Sequence, residues 1–195
     1  MSKNINVPIF TNLSDPELAR LLQRGAVGVL LTDTVYGLVG CALNNAAASR
    51  VIDLKNRAHK PGTLIASSVT QLIELGVKRE SIQAAEKFWP GAVSIVLPTG
   101  PGHEYLDVGM KSLAVRIPNK PDLITLLQKV GPLLTSSANK TGEPTVKSIA
   151  EAQKIFGISV DFYVDGGVVS NPTASTIIRI VDDQIEVLRQ GIVQI

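Results

Sequence analysis

The stretch Leu133–Thr145, LLTSSANKTGEPT, decides how the rest of the chain is read. Four hydroxyl side chains, Thr135, Ser136, Ser137 and Thr141, are crowded around the end of an apolar run, and Thr145 adds a fifth. PLLTSS reads as a strand, and hydroxyls at a strand end stand where α/β sheets bind ligands. Immediately before it, PDLITLLQKVG predicts a helix that opens at Pro121 and stops at Gly131. Immediately after it, Lys147–Phe156 predicts a helix, with Thr145 as its candidate cap. Helix, strand, polar turn, helix is the grammar of an α/β protein.

The same alternation runs outward in both directions. SDPELARLLQRG places Ser14 and Glu17 at capping-box spacing, with Gly25 as the stop. AVGVLL (26–31) is a short buried strand, TDTVYG a polar turn, and LVGCAL a second apolar run. Asn44 caps a helix through Ala46 to Lys55, and TLIAS (63–67) is a strand. Helices follow at Val69–Leu75 and Ser81–Phe88, the second stopped by WPG at Trp89–Gly91. VSIVLP, SLAVRIP, DFYVDGG, STIIRIV and QIEVLRQ are strand-like, and a turn containing two aspartates joins the last pair. Those final strands are too close for crossover helices, so the sheet is expected to be mixed. The expectation is one α/β domain over residues 1–195, a twisted mixed β-sheet flanked by helices, without repeats or linkers.

Bulk composition narrows the class. Of 195 residues 45% are hydrophobic and 18% charged, enough apolar surface for a full core. A net charge of +2 does not by itself argue for nucleic acid. The single cysteine, Cys41, excludes an internal disulfide and reads as a small core residue. There is no signal-peptide pattern and no apolar run of membrane-spanning length, so a soluble cytoplasmic protein is expected. His59 and His103 are too few and too far apart for a metal site. GxGxxG, GxSxG and a complete Walker motif are absent.

Three polar groups remain to be explained. Ser136–Gly142 has the makings of an anion cradle: short hydroxyls, flexible backbone, a lysine, then a helix start. An ordinary Ser/Asn turn explains it equally well. Lys55, Arg57, His59 and Lys60 put four donors into six residues, a cluster neutralised either by an anion or by solvent at a helix end. Arg116 stands inside an apolar strand, on one face with Ala114, and requires a structural or a ligand carboxylate.

TDTVYGL, KNR, FWPGAVSIVLP, LAVRIP, SSANKTGEPT, DGG, STI and LRQG occur in one order. That order resembles the YrdC/Sua5 family of threonylcarbamoyl-AMP synthases, from about Leu18 to about Gly191. The resemblance implies a single α/β domain with a basic concave face. It also implies formation of threonylcarbamoyl-AMP and pyrophosphate from L-threonine, bicarbonate and ATP, with Mg2+ accompanying the nucleotide. The product would serve t6A37 modification of tRNA through a separate threonylcarbamoyl-transferase complex, and direct tRNA or RNA binding is a further implied partner. The family's Lys-Arg-Ser-Asn set falls on Lys55, Arg57, Ser137 and Asn139. By the same motifs Thr32, Thr34, Arg116, Thr135 and Thr176 (or its neighbour Ser175) would contact threonine, and Arg57, Lys60, Ser137, Thr145 and Arg189 would contact ATP. Leu31 stands where the family has proline, Pro61 where it often has lysine or asparagine, and Ala66 or Ser67 where it often has histidine. The competing readings are an RNA-binding module of this fold, a carbamoyl-transfer domain like that of hydrogenase-maturation proteins, and a paralogue without synthase activity.

Overall fold

The computed structural model describes residues 6–55 and 60–195. In chain order the elements are β1 (Ile9–Phe10), α1 (Pro16–Gln23), β2 (Val27–Leu31), β3 (Tyr36–Cys41), α2 (Asn45–Leu54) and β4 (Thr63–Ile65). Then come α3 (Val69–Glu74), α4 (Arg79–Gln83), β5 (Val93–Pro98), α5 (Glu104–Asp107), β6 (Ser112–Arg116) and α6 (Pro121–Val130). β7 (Leu133–Ser137), α7 (Ile149–Phe156), β8 (Phe162–Val164), β9 (Thr176–Val181) and β10 (Gln184–Arg189) complete it.

The strands form one mixed sheet in the order β1-β8-β2-β3-β7-β4-β6-β5-β9-β10. β2, β3, β7 and β4 are joined by successive antiparallel pairings, whereas β4–β6 and β5–β9 are parallel. The β9–β10 hairpin turns on Asp182 and Asp183, both at positive φ (49° and 59°), a conformation aspartate tolerates. Adjacent residues of each strand face opposite sides, and the two sides are covered differently. On one side Val27, Val29, Leu38, Leu134 and Ile95 pack with α2 and α7 residues such as Val51 and Phe156. On the other, Leu30, Val39, Leu133 and Phe162 pack beneath Leu18 and Leu22 of α1 and Leu123 and Leu127 of α6.

Local departures from the sequence reading have simple causes. Asp15, not Ser14, caps α1: its carboxylate accepts from Glu17 N at 2.8 Å, while Ser14 bonds to Asn12. Ser148, not Thr145, caps α7: its hydroxyl accepts from Glu151 N at 3.4 Å, and the Glu151 carboxylate accepts from Lys147 N, the residue before the cap, at 2.8 Å. Tyr36 belongs to β3 and is fully buried. The segment 81–88 breaks into α4 and a 3-10 turn at Glu86–Phe88. β1 and α5, of two and four residues, lie below the length at which periodicity is legible. Among the described residues no helix is long and apolar enough to cross a membrane.

Candidate active site

The side of the sheet carrying α1 and α6 is only partly covered. Thr63 of β4, Ala114 and Arg116 of β6, Val96 of β5, Ile177 of β9 and Leu188 of β10 line a cavity of about 310 Å3 on that side. Alternation puts Ser112, Ala114 and Arg116 on this face while Leu113 and Val115 enter the opposite core. Thr135 and Ser137 of β7 also line it, two and four residues beyond Leu133, which lies under α6. The site therefore begins where the covering helices stop.

The turn after β2 forms one wall. Thr32 Oγ1 donates to Val35 O at 2.8 Å and lies 3.1 Å from Thr34 Oγ1, and it accepts from Thr34 N at 3.2 Å. Both threonines line the cavity. Between them Asp33 turns inward to Arg116: Oδ1 accepts from Arg116 at 2.9 Å, with the two side chains 3% and 4% exposed. The carboxylate that Arg116 requires is thus supplied by the protein itself. Burial pulls the guanidinium pKa down from its ordinary value, and Asp33 opposes that shift. Arg116 also donates to Ser94 Oγ at 3.1 Å, whereas its buried Nε has no partner among the described residues.

Glycine makes room for the next group. A Cβ on Gly37 would stand 2.6 Å from Thr135 Oγ1, closer than real Cβ contacts allow, so the bare backbone of β3 accommodates that hydroxyl. Thr135 makes no side-chain hydrogen bond among the described residues and lines the cavity. Beyond it, Ser137 is half-buried and donates to Asn139 Oδ1 at 2.6 Å.

Lys55 and Asn139 occupy a different place from the one expected of phosphate ligands. Lys55 is 2% exposed, and its ammonium donates to Ser137 O and Asn139 Oδ1, each at 2.8 Å, and to Asn139 O. Asn139 Nδ2 donates onward to Glu143 O, and Thr141 Oγ1 to Lys55 O at 2.7 Å. Neither Lys55 nor Asn139 is among the residues lining the large cavity. They lie behind the Ser137 turn and set its shape. The anion cradle also differs from expectation at its far end, since α7 begins at Ile149 and Ser148 and Glu151 cap it.

The third wall comes from the chain's last two strands. Ser175 and Arg189 line the cavity, and Arg189 donates to Ser175 O at 2.8 Å and to Ser175 Oγ at 3.2 Å. Of the two alternatives Thr176 and Ser175, Thr176 does not line the cavity. Its hydroxyl is fully buried, donates to Val193 O at 2.6 Å and accepts from Gly191 N at 3.1 Å, so it fastens the C-terminal segment, and Ser175 faces the cavity. Lys60 lines a separate small cleft with Lys55, Gly62 and Ser136. Thr145 is half-buried beyond the Ser137 turn and does not line the large cavity. Arg57 and His59 lie outside the described residues. Asp33 belongs to the polar cluster the sequence marks after β2, but its pairing with Arg116 carries no spacing signal, and neither does Ser94, a serine in an apolar strand. Among the described residues no group of three His, Cys, Asp or Glu could hold a metal ion.

A mixed sheet with one partly bare face, lined by hydroxyls and arginines, defines a small-molecule site of the kind α/β enzymes carry. The sequence profile of the Sua5/YciO/YrdC family, described as telomere recombination, matches residues 20–191, and the chain belongs to that family. It is 36% identical over 164 residues to a threonylcarbamoyl-AMP synthase of Pseudoalteromonas translucida, covering 80% of this chain and 87% of that protein. It is 30% identical over 180 residues to a putative threonylcarbamoyl-AMP synthase of Methanocaldococcus jannaschii, covering 91% and 86%. The crystal structure of P. abyssi Sua5 complexed with L-threonine superposes with a TM-score of 0.82 at 27% identity, over 94% of this chain and 57% of that one.

Proposed function

We propose that the protein is an L-threonylcarbamoyladenylate synthase, a nucleotidyltransferase that makes threonylcarbamoyl-AMP and pyrophosphate from L-threonine, bicarbonate and ATP. The observation that carries the reading is the convergence of Thr32, Thr135, Ser137, Ser175, Arg116 and Arg189 on one cavity, in a chain of this family. Its volume, about 310 Å3, is at the lower end of the ~300–1,000 Å3 range of small-molecule sites.

The chemistry explains the residue types. Threonine's neutral amine captures CO2 with release of one proton to solvent, or bicarbonate with release of one water, giving an N-carboxylate. A carboxylate oxygen then attacks the α-phosphorus of ATP, forming an O–P bond as the bond to the pyrophosphate oxygen breaks. Both reactants are anionic, so the main barrier is electrostatic and is lowered by fixed donors. The turn that carries Ser137 is held in shape by Lys55 and Asn139. The Ser137 hydroxyl, which donates to Asn139 Oδ1, would have to turn its proton to the phosphate when ATP binds, with Arg189 and Arg57 supplying positive charge. Thr32, Thr34 and Thr135 surround the amino acid. Arg116 is already paired with Asp33, so it contributes a rigid, locally neutral donor frame to which a threonine carboxylate adds a second anion. Mg2+ would enter with ATP as part of the substrate and neutralise charge on the departing pyrophosphate. No general base is required if positioning supplies most of the rate. The adenylate would then pass, in the cytoplasm, to a transferase that modifies tRNA.

The test is to incubate the protein with ATP, Mg2+, bicarbonate and L-threonine, omitting each in turn. Pyrophosphate and a threonylcarbamoyl-adenylate mass are expected only when all are present. Valine should turn over poorly because it leaves hydroxyl partners unpaired, and equal turnover with valine would refute threonine selection. RNA binding with steep salt dependence and no ATP turnover would favour the binding-module reading instead. Arg57→Ala is expected to reduce adenylate formation at least ~100-fold, the scale of a lost transition-state donor.

A further inference from the structure

We propose that Ser94 is a positioning residue of this site, a buried relay through which Arg116 orients the Ser175 hydroxyl toward the ligand and through which the Thr32–Thr34 turn is tied to Arg189. The inference rests on the synthase reading and goes beyond it by naming what sets the polarity of the cavity's hydroxyls.

Ser94 sits on β5 between Val93 and Ile95, which face the opposite core, and is fully buried. Its Oγ lies 3.1 Å from an Arg116 nitrogen and 2.9 Å from Ser175 Oγ. A guanidinium only donates, so Ser94 accepts from Arg116. The Ser94 proton then has one acceptor among its partners, Ser175 Oγ. Ser175 Oγ also receives Arg189, another group that can only donate, at 3.2 Å. Two donors thus occupy the Ser175 oxygen, and its own hydrogen is left to point into the cavity that Ser175 lines. The reverse polarity, with Ser175 donating to Ser94, would leave the Ser94 proton without an acceptor at a site water does not reach. With Asp33 bonded to Arg116 at 2.9 Å, the chain Asp33–Arg116–Ser94–Ser175–Arg189 is continuous across the cavity wall. A wall so ordered offers a ligand oxygen a donor that needs no reorientation on binding.

The test is a mutant cycle read by calorimetric titration with L-threonine and by thermal melting. Ser94→Ala is expected to weaken threonine binding about tenfold, and Ser94→Thr, which keeps the hydroxyl, to restore it to within about twofold of the native value. The double variant Ser94→Ala, Ser175→Ala should bind no more weakly than Ser175→Ala alone, since Ser94 acts only through Ser175. Melting should fall in either case, because Ser94→Ala leaves a buried Arg116 donor unpaired, but a purely packing role would give binding losses that add in the double variant, and that result overturns the proposal. Native-like binding by Ser94→Ala also overturns it. If Ser94→Ala does not fold, Ser94→Cys, nearly isosteric with a weak donor, takes its place in the same cycle with the same criteria. Failure of the native protein to bind threonine overturns the synthase reading together with this one, whereas native binding with an insensitive Ser94 overturns this one alone.

Discussion

The ammonium of Lys55 lies 2.8 Å from the side-chain oxygen of Asn139, and both groups are buried behind the Ser137 turn rather than exposed to the cavity. This one contact changes what the lysine is for. A cation expected to meet phosphate directly is used first to hold three oxygens of a turn, two of them backbone carbonyls. Its bonds hold the turn that carries Ser137.

Replacing Lys55 by methionine therefore damages fold and activity together. Three acceptors lose a charged donor in the interior, and a loss of at least ~3 kcal/mol is expected. Denaturant melts should show that loss, and adenylate formation should fall at least ~100-fold. Native stability with lost activity would mean that the ammonium meets substrate directly.

Asp33→Asn leaves the shape of the turn but strands the Arg116 charge, with both side chains almost fully buried. Breaking one half of a buried pair costs ~3–5 kcal/mol. The variant should melt far below the native protein, and adding Arg116→Met should recover part of the stability without recovering threonine binding. Unchanged melting of the single variant would show that the pair contributes little.

Gly37→Ala tests the close approach of β3 to Thr135. The new methyl would stand 2.6 Å from Thr135 Oγ1 and 3.3 Å from Ser136 O. The hydroxyl can rotate, so the stability cost should be modest, ~1–3 kcal/mol. Threonine binding should weaken about tenfold, in proportion to one displaced hydrogen-bonding group. Titration calorimetry separates the two effects.

Tyr163 gives a pH signature unconnected with the site. Its hydroxyl donates to Gly157 O at 2.8 Å, and burial pushes its pKa from 10.0 up to about 12. Between those values the unfolded chain releases a proton that the folded chain keeps, so unfolding is favoured as pH rises. Stability from this group is complete below pH 10 and is lost progressively up to about pH 12. Tyr163→Phe should cost about 1 kcal/mol at neutral pH through the lost hydrogen bond, yet flatten the alkaline decline. An identical decline in native and variant melts would assign it to other groups.

The strands around the site were legible because alternation is a local property. SLAVRIP announces that Ala114 and Arg116 share a face, and VLLTDT announces a strand that ends in a polar turn. The order of the strands was not legible. Nothing local tells β4 to lie between β7 and β6, or β9 to run parallel to β5. Those pairings follow from which apolar faces can be covered together, a property of the whole chain.

The site divides in the same way. The amino-acid sequence alone determined an α/β chain, the family to which it belongs, and the hydroxyl- and arginine-bearing strand ends from which the cavity is built. It also determined that Arg116 must have a partner, because a buried guanidinium cannot go unpaired. Only the tertiary structure decided that this partner is Asp33, that Ser175 rather than Thr176 faces the cavity, and that Lys55 turns inward to Asn139. The reason is geometric. Periodicity assigns a side chain to a face, but its hydrogen-bond partner comes from a strand or turn distant in sequence, and only packing brings the two within about 3 Å of each other.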